Sequence, residues 1–380
     1  MNYDIISLVI TFGIRSETWL YRQIAELKQY RVHVITYQYL HPEEYPFSPV
    51  TVLPSPNRVI RGFLKAPILL LEGKRPRLDL RERLIISRIV AKEKIKIIQA
   101  HFGWAGYRFL ELAVKLSKPY LVWVYGPDVF RSPYQKSLEE LIASPVILCC
   151  TSNALRNQII EYGGAPERIY VFYPGIKVPA KIPEKTFDSN QKIKIISIGR
   201  LTECKDPCGM VEIAKIIKDR GINFIWEHLG DGELRAEVEE KIKNYHLESH
   251  FYLRGEVPNN QVWESLKSSD LMVHNAKVNP DGSREAFGVV LTEASAMGVP
   301  IISVRVGGIP EIVKDKKTGF LVEIGDLEGM AEKVILLAKN PELRRQIGIN
   351  AYQYVRENFE INQQIKKLES FYSTLINRSY

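Results

Sequence analysis

The stretch that decides the predicted fold is REAFGVVLTEASAMGVPII, residues 284–302. Its pattern predicts a loop that opens into an apolar helix, Val289 to Met297, followed by the start of a buried strand. Glu285 precedes this helix and Glu293 lies inside it. A buried carboxylate without a partner is energetically costly, so we expect both glutamates to have partners.

The same strand–helix alternation extends in both directions from this stretch. Strand-like runs fall at residues 4–11, 32–36, 97–100, 120–124, 146–150 and 169–172, and again at 193–198, 223–229, 251–255, 271–273, 300–304 and 319–322. Helical windows separate them, which predicts βαβ units with parallel sheets. The Pro- and Lys-rich segment 178–192 lacks periodicity and is predicted to be a linker. The sequence therefore predicts an α/β protein with two doubly wound domains, 1–180 and 193–360.

Length and composition limit the class of protein. A chain of 380 residues exceeds the usual single core, and 45% apolar residues with 25% charged residues is typical of a globular protein. No apolar run is long enough to span a membrane, and the N-terminal residues read as a first strand rather than a signal peptide. The four cysteines show neither metal-ligand nor disulfide spacing, so we expect a reduced, cytoplasmic location.

The net charge of +8 is concentrated in the basic window, residues 58–96, which holds twelve Lys and Arg against four acids. Apolar residues interleave with this charge, which predicts docking on an anionic membrane surface, namely the inner face of the plasma membrane. A solvated pair of helices is an equal alternative. Nucleic acid is a weaker interpretation, because no aromatic stacking platform accompanies the charge.

Two loops contain candidate phosphate-binding residues. In TFGIRSETW, residues 11–19, Gly13 would let the backbone approach a phosphate, and Ser16 with Glu17 would begin the next helix. The alternative is an ordinary strand–helix turn. In GRLTECKDP, residues 199–207, Arg200 and Lys205 follow a strand and precede a helix, which suits a diphosphate. The alternative is a pair of exposed surface cations.

The opening stretch fits the remainder of such a ligand. Amides of residues 287–289 lie at a helix N-terminus, where N–H groups lack partners. Glu293 would accept hydrogen bonds from the vicinal hydroxyls of a ribose, and Glu285 would lie beside a sugar. The alternative is that Glu293 pairs with a buried arginine and that Glu285 only favours the helix dipole.

Glu285 and Glu293 resemble the E-x7-E motif of the retaining glycosyltransferases of family four. The segments that continue the resemblance are SETWLYRQI (16–24), GRLTECK (199–205), GDGELR (230–235), GEVP (255–258), GGIPEIV (307–313), TGFLV (318–322) and NPELRRQIGINAYQYVRENF (340–359). The resemblance implies the GT-B architecture, with two Rossmann-like domains facing across a cleft. The first would bind the acceptor and be completed by a helix at 361–380, and the second would bind the nucleotide-sugar.

The resemblance also implies residue roles. The implied donor site consists of Gly13, Arg200, Lys205, Val257, Glu285, Ala286, Phe287, Gly288, Val289 and Glu293. Arg200 and Lys205 would hold the diphosphate, Glu293 the ribose and Glu285 the end where the sugar is transferred, while the backbone around Val257 would recognise the base. The family needs no divalent metal, so neither a metal nor another cofactor is expected.

Two positions depart from the family pattern. Tyr125-Gly-Pro-Asp128 stands where His-Gly-x-Asp is usual, so Tyr125, with Arg15 and Glu17, is a candidate for the donor sugar or acceptor. His101, in AHFGW at 100–104, is the nearest surviving histidine. It joins Glu285 and Asp128 as a catalytic candidate, although a lone histidine after a strand is more often structural. Asp206 replaces a glycine after the lysine, which would put a negative charge near the phosphates.

These features together predict a retaining α-glycosyltransferase. The expected donor is a UDP-hexose, with UDP-glucose ahead of GDP-linked sugars, and the expected acceptor is a sugar hydroxyl of a lipid-linked intermediate in exopolysaccharide or lipopolysaccharide biosynthesis. One alternative is another enzyme on the same fold, such as a nucleotide-sugar epimerase or a phosphorylase. The other is a non-catalytic, membrane-docked protein that binds sugar nucleotides.

Overall fold

The computed structural model describes residues 3–54, 78–130, 132–184 and 192–377. Backbone contacts divide the chain into a first unit, Met1–Gly175 with Ile361–Tyr380, and a second unit, Ile176–Glu360. The boundary falls before the predicted linker 178–192, so residues 176–180 of the predicted first domain belong to the second unit. Residues 58–77 of the basic window and 185–191 of the linker lie outside the described residues.

The first unit is built on a parallel sheet. Its strands are β1 (Ile5–Leu8), β2 (Thr11–Phe12), β3 (Val32–Thr36), β4 (Gln38–Tyr39), β5 (Val50–Val52), β6 (Ile97–His101), β7 (Tyr120–Val124), β8 (Ile147–Cys150) and β9 (Ile169–Val171). The helices between them are α1 (Thr18–Ala25), α2 (Leu80–Glu93), α3 (Gly103–Lys115), α4 (Gly126–Phe130), α5 (Ser132–Ala143) and α6 (Asn153–Glu161). The sheet order is β5-β3-β1-β6-β7-β8-β9, and β2 pairs separately with β4. Every residue of β1, β6 and β7 is buried, as expected for central parallel strands.

The second unit repeats the plan. Its strands are β10 (Ile193–Ile198), β11 (Phe224–Leu229), β12 (Phe251–Leu253), β13 (Leu271–His274), β14 (Ile301–Val304) and β15 (Gly319–Val322). Its helices are α7 (Pro207–Asp219), α8 (Arg235–Asn244), α9 (Asn259–Ser268), α10 (Val289–Ala296), α11 (Ile309–Ile312), α12 (Leu327–Lys339) and α13 (Pro341–Asn358). All strand pairs are parallel, in the Rossmann order β12-β11-β10-β13-β14-β15. The order reverses between β10 and β13, and ligands of such sheets bind at the carboxyl ends of the strands beside the reversal.

The last helix, α14 (Ile361–Asn377), packs in the first unit. Its residues Leu368, Tyr372 and Leu375 belong to the hydrophobic core of that unit. The Tyr372 hydroxyl donates to the Gln99 side chain at 2.7 Å, and Glu369 accepts from two backbone N–H groups that follow α1, both at 2.6 Å. Residues late in the chain therefore complete the core of the first unit.

Three local findings bear on the sequence predictions. The predicted helix start at Ser16 was wrong, because residues 15–17 form a short 3₁₀ turn and α1 begins at Thr18 without a side-chain cap. The described part of the basic window forms α2, and Asp79 and Glu82 form a capping box at its N-terminus. No helix in the described ranges is both long and apolar enough to cross a membrane.

Candidate active site

Three side chains meet where the strand order of the second unit reverses. Lys205 lies in the loop after β10, His274 ends β13, and Glu285 lies in the loop before α10. The Lys205 ammonium contacts the Glu285 carboxylate in an ion pair. His274 Nε2 lies 3.4 Å from Glu285 Oε2 and 3.5 Å from Lys205 Nζ. Lys205 and His274 also line a small depression with Gly199. The predicted alternative of two merely exposed cations is therefore wrong for Lys205.

The charge states of Glu285 and His274 follow from their surroundings. Burial alone would raise the pKa of Glu285, but the positive charge of Lys205 holds that pKa well below its usual range. Burial lowers the pKa of His274, which is 3% exposed. An ionised carboxylate, an ammonium and a neutral imidazole thus share one small volume near neutral pH.

Backbone contacts from the loop after β14 fix the position of Glu285. Gly307 has a φ of 52°, and a Cβ at this position would overlap the Glu285 carbonyl oxygen. The Gly308 N–H donates to the Ala286 carbonyl at 3.1 Å. Glycine at position 307 is therefore required by both the left-handed backbone and the close approach.

Helix α10 begins directly behind this segment. Gly288, with a φ of 89°, is its N-cap and, as a glycine, has no side chain with which to cap the helix. The amide of Val289 in the first turn therefore has no partner further back in the helix. Phe287 is buried and packs on Phe359, with ring centroids 5.7 Å apart. The ring of Phe287 is thus part of the packing of this unit and does not face a ligand.

The other predicted donor residues surround the same end of the sheet. Glu293 lies within α10 and is 5% exposed. Arg200 is exposed on the loop after β10, and Val257 is half-buried after β12. Gly230 lets the loops after β10 and β11 approach closely, because a Cβ at this position would overlap the Gly199 carbonyl oxygen. The structure thus places these residues on loops at the carboxyl ends of β10 and β12 and on α10.

Asp206 has a local structural role. Its φ of 40° lies in the left-handed region, and its side chain caps α7 by accepting from the Gly209 N–H at 3.3 Å. Asn275 donates to the second carboxylate oxygen at 2.7 Å. The helix cap and the hydrogen bond from Asn275 thus give the Asp206 carboxylate local partners. The left-handed backbone at this position also explains why glycine is usual there.

In the first unit, His101, Tyr125 and Asp128 form one buried cluster at the carboxyl ends of β6 and β7. His101 Nδ1 lies 3.0 Å from the Tyr125 hydroxyl, and burial lowers the pKa of His101 to about 3. Asp128 accepts from the Tyr125 N–H at 2.9 Å. Burial raises the pKa of Asp128 to about 7, against the opposing effect of nearby backbone amides. Trp19 covers Tyr125 at 4.4 Å between ring centroids.

The remaining predicted residues lie in the loop before α1. Gly13 has a φ of 84°, and a Cβ there would overlap the Leu40 carbonyl oxygen. Steric constraints therefore require glycine at position 13 whether or not a ligand binds there. The Arg15 guanidinium pairs with Glu44, with Nε 3.0 Å from Oε2. Glu17 is half-buried, and its charge adds to burial in raising the pKa of Tyr125.

Comparisons with known proteins now identify the family. The family model described as Glycosyltransferase Family 4 matches residues 17–178, and the model described as Glycosyl transferases group 1 matches residues 179–354. The chain belongs to the family 4 glycosyltransferases. The sequence-based assignment of the family is thereby confirmed.

Individual relatives support this placement. The amylovoran biosynthesis glycosyltransferase AmsK of Erwinia amylovora is 30% identical over 269 residues, which cover 68% of this chain and 66% of AmsK. The N-acetyl-alpha-D-glucosaminyl L-malate synthase of Bacillus anthracis is 28% identical over 78% of this chain and 79% of its own length. The crystal structure of Anabaena HepE with UDP and glucose has a TM-score of 0.77 and 16% identity, covering 98% of this chain and 100% of HepE. Such likeness shows the GT-B fold, as predicted.

Sequence reasoning missed His274 in this glycosyltransferase. The apolar run 271–273 predicts a strand, and His274 follows it at the carboxyl end, where ligands of such sheets bind. This position was the available signal. The contact with Glu285 could not be deduced, because it depends on the path of the intervening loop, residues 275–288.

Proposed function

We propose that this glycosyltransferase moves a hexose from a UDP-sugar to a sugar hydroxyl with retention of the anomeric configuration. UDP-glucose is the first candidate donor, and GDP-linked sugars are the next. The observation that carries the proposal is the Lys205–Glu285 ion pair in front of the α10 N-terminus. It combines a cation and open amides for a diphosphate with a carboxylate for the sugar.

The donor extends across the loops of the second unit in this proposal. Lys205 and Arg200 bind the diphosphate, together with the amides of Gly288 and Val289. Glu293 accepts hydrogen bonds from the ribose hydroxyls. The base lies against the backbone at Val257, and the sugar lies beside Glu285. The three HepE structures, with UDP, with UDP and glucose, and with UDP-glucose, show that a protein of this fold holds such ligands.

The transfer step needs no protein nucleophile in this proposal. The bond between the anomeric carbon and the leaving phosphate oxygen breaks, and the acceptor oxygen forms its bond on the same face. The acceptor proton passes to the departing phosphate oxygen. Lys205 and the α10 amides stabilise the negative charge on the leaving diphosphate, and Glu285 stabilises the positive charge at the anomeric carbon.

Metal independence is part of the proposal, since the cation and helix dipole supply the charge that a metal would supply. One group of described residues, His41, Glu43 and Glu44, has metal-ligand spacing, but it lies in the first unit and Glu44 pairs with Arg15. Unchanged transfer after treatment with EDTA is the expected result. Loss of transfer that Mg²⁺ or Mn²⁺ restores would contradict this part.

For the acceptor we propose a sugar of a lipid-linked or polysaccharide intermediate. AmsK is named for amylovoran biosynthesis, and the relative CapM of Staphylococcus aureus is named for capsular polysaccharide biosynthesis. In the first unit, the partly exposed rings of Trp19, Phe102 and Trp104 cluster after β6, with centroids 6.4 Å apart between Phe102 and each tryptophan. Aromatic faces suit the apolar face of a sugar ring. The name of the B. anthracis relative makes L-malate the alternative acceptor to include.

We also propose a cytoplasmic enzyme that docks on the inner face of the plasma membrane. Leu80 and Leu84 of α2 are 72% and 48% exposed, and Arg81, Arg88 and Lys92 are exposed on the same helix. Leucines among basic residues suit an anionic lipid surface. The double change Leu80→Ser and Leu84→Ser should weaken flotation with anionic vesicles, whereas Val114→Ser, at an exposed valine of α3, should not. Equal flotation with neutral vesicles would contradict the proposal.

The deciding experiment is a scan of UDP-glucose, UDP-galactose, UDP-N-acetylglucosamine and GDP-mannose for release of UDP or GDP. Each donor is offered with water, with lipid-linked sugars and with L-malate, and NMR assigns the anomeric configuration of the product. Retention with one UDP-hexose is the expected result. An inverted product would contradict the mechanism, and a donor converted to its epimer would favour the epimerase. Nucleotide binding without release from any donor would favour a non-catalytic sensor.

A further inference from the structure

The imidazole of His274 is held in one tautomer. The Ser303 hydroxyl donates to the His274 carbonyl oxygen at 2.8 Å, so its proton is committed there. His274 Nδ1 lies 3.1 Å from the same Ser303 oxygen, which can then only accept. Nδ1 therefore carries the ring proton, and Nε2 of the neutral ring presents a lone pair.

That lone pair faces the Lys205–Glu285 pair. Nε2 lies 3.4 Å from Glu285 Oε2, and two acceptors at this separation repel each other unless a proton lies between them. Lys205 Nζ, 3.5 Å from Nε2 and paired with Glu285, supplies protons to both. Before the nucleotide-sugar binds, the single ammonium of Lys205 therefore donates to both acceptors, Glu285 and His274.

The donor diphosphate competes for this same ammonium. A phosphate group next to Lys205 draws the ammonium from the carboxylate, because charge-assisted bonds to phosphate are among the strong ones. Glu285 would then be a largely buried carboxylate that faces a lone pair, and an uncompensated buried charge is costly. Glu285 then needs another positively charged partner, and His274 is already within reach.

We propose that His274 accepts a proton at Nε2 when the nucleotide-sugar binds and then replaces Lys205 as the partner of Glu285. Lys205 then serves the diphosphate, and the imidazolium orients the Glu285 carboxylate beside the sugar. One proton is taken from solvent for each donor bound. His274 is a positioning residue in this exchange, since it acts through Glu285. The inference rests on the proposed donor site.

The charges around His274 agree with this exchange. Among the residues that the structure describes, the charged groups that face the ring are Lys205 and Glu285, while Ser303 on β14 is neutral. The nearby Asp206 is engaged by Asn275 and by the α7 N-terminus. Burial is the main cause that lowers the pKa of the ring before the nucleotide-sugar binds, while Glu285 opposes this effect and Lys205 adds to it. Withdrawal of Lys205 and arrival of a negative diphosphate both favour the protonated ring.

The test is isothermal titration calorimetry in two buffers of different ionisation enthalpy, at about pH 7.5 so that the free imidazole is neutral. The ligands are UDP-glucose, UDP-N-acetylglucosamine and GDP-mannose, whose phosphodiesters do not titrate in this range. Uptake of about one proton per ligand bound is expected for the wild type, in proportion to the final ionised fraction of His274. Binding of a ligand with no proton uptake would overturn the exchange.

Two substitutions separate positioning from proton uptake. In His274→Gln the neutral side-chain amide can donate an N–H to Glu285 without taking up a proton from solvent. Binding should therefore persist with no proton uptake, and kcat should fall less than about tenfold. His274→Leu offers Glu285 no donor, and kcat should fall by about tenfold or more while KM changes less than about threefold. His250→Gln, at a half-buried histidine of the same unit that does not contact Lys205 or Glu285, is the control and should keep the uptake.

The outcomes distinguish this inference from the function on which it rests. Failure of every nucleotide-sugar to bind the wild type would sink the donor site and the exchange with it. Normal binding with full proton uptake in His274→Gln would sink the exchange alone. If His274→Leu loses its thermal transition, His274→Gln still decides the matter, because Gln has a similar reach and keeps a hydrogen-bond donor.

Discussion

The carbonyl oxygen of Glu285 occupies the space into which a side chain at position 307 would project. The backbone after β14 thus sets the position of a carboxylate that comes from the loop after β13. Because Gly307 lacks a Cβ, the two loops approach closely and the Gly308 N–H reaches Ala286. Any larger residue must displace the Glu285 segment.

We therefore expect Gly307→Ala to lower both stability and transfer. Gly325→Ala is its matched control, since Gly325 also has a positive φ, of 85°, but has no atoms near its Cβ direction. Both changes cost about 1 kcal/mol for the left-handed backbone, and only Gly307→Ala adds a clash, which costs ~1–3 kcal/mol more. Thermal unfolding and initial rates measure the difference. Equal losses for the two variants would show that Gly307 is needed only for its backbone angle.

Lys205→Met should weaken binding of the nucleotide-sugar by about tenfold or more, because it removes a charge-assisted bond to phosphate. It also leaves Glu285 without its cation, so the Glu285 pKa should rise. Lys277→Met is the control, at a lysine of a nearby loop that contacts Glu203 and Asp206 instead. UDP binding by calorimetry and the pH dependence of Glu285 monitored by NMR test the two effects. Identical UDP affinities in both variants would refute the phosphate role of Lys205.

Glu285→Gln should reduce transfer by about a hundredfold or more while UDP affinity changes less than about threefold. The amide keeps the shape of the side chain and removes the charge that we place at the anomeric carbon. Glu233→Gln, at an exposed glutamate of the same unit, should be silent. Single-turnover rates separate chemistry from binding. A parallel fall in UDP affinity would place Glu285 at the nucleotide rather than at the sugar.

Glu293→Gln should weaken UDP binding by about tenfold, which corresponds to ~1.4 kcal/mol for a charged hydrogen bond to the ribose. The decisive comparison is 2′-deoxy-UDP, whose binding should suffer much less from the substitution if Glu293 accepts from that hydroxyl. Because Glu293 is buried, a thermal melt first verifies folding. Equal losses with both nucleotides would show that Glu293 acts on the structure of α10 and not on the 2′-hydroxyl.

Asp128→Asn should change how stability depends on pH. The folded pKa of Asp128, about 7, lies above its ordinary value of 3.8 because of burial. The folded state therefore favours the protonated form, so this contribution to stability is present below about pH 4 and is lost as pH rises through about 7. Asn stays neutral, so the variant should gain up to about 4 kcal/mol relative to wild type above pH 7. Denaturant unfolding at several pH values measures this. An unchanged slope in Asp128→Asn, as expected for the exposed control Asp219→Asn, would refute it.

The fold class could be predicted because parallel buried strands have a strong sequence signal. β1 and β10 are short apolar runs, each followed by a helical pattern, and their order follows from rules for βαβ units. Helix starts were less predictable. Ser16 is a residue type that often caps helices, yet residues 15–17 form a 3₁₀ turn and the helix begins at Thr18.

The candidate site was predictable in composition and not in contacts. Lys205 and Glu285 could be named from their positions before helices, but their pairing joins loops from two strands that are distant in sequence. His274 was not singled out, because its position at a strand end does not show which loop packs over it. The role of Asp206 as a cap follows from a left-handed φ that no periodicity reveals. The roles that we assign to these residues stay predictions until the experiments above are done.

The placement of α14 in the first unit has a consequence for biosynthesis. The ribosome delivers the strands β1 to β9 long before it delivers Leu368, Tyr372 and Leu375, which those strands need to close their core. Gln99 and the backbone after α1 likewise await Tyr372 and Glu369. The second unit, Ile176–Glu360, has its whole sequence available earlier. The half of the molecule that is made first is therefore the half that matures last, and its incomplete core is the part most in need of protection during translation.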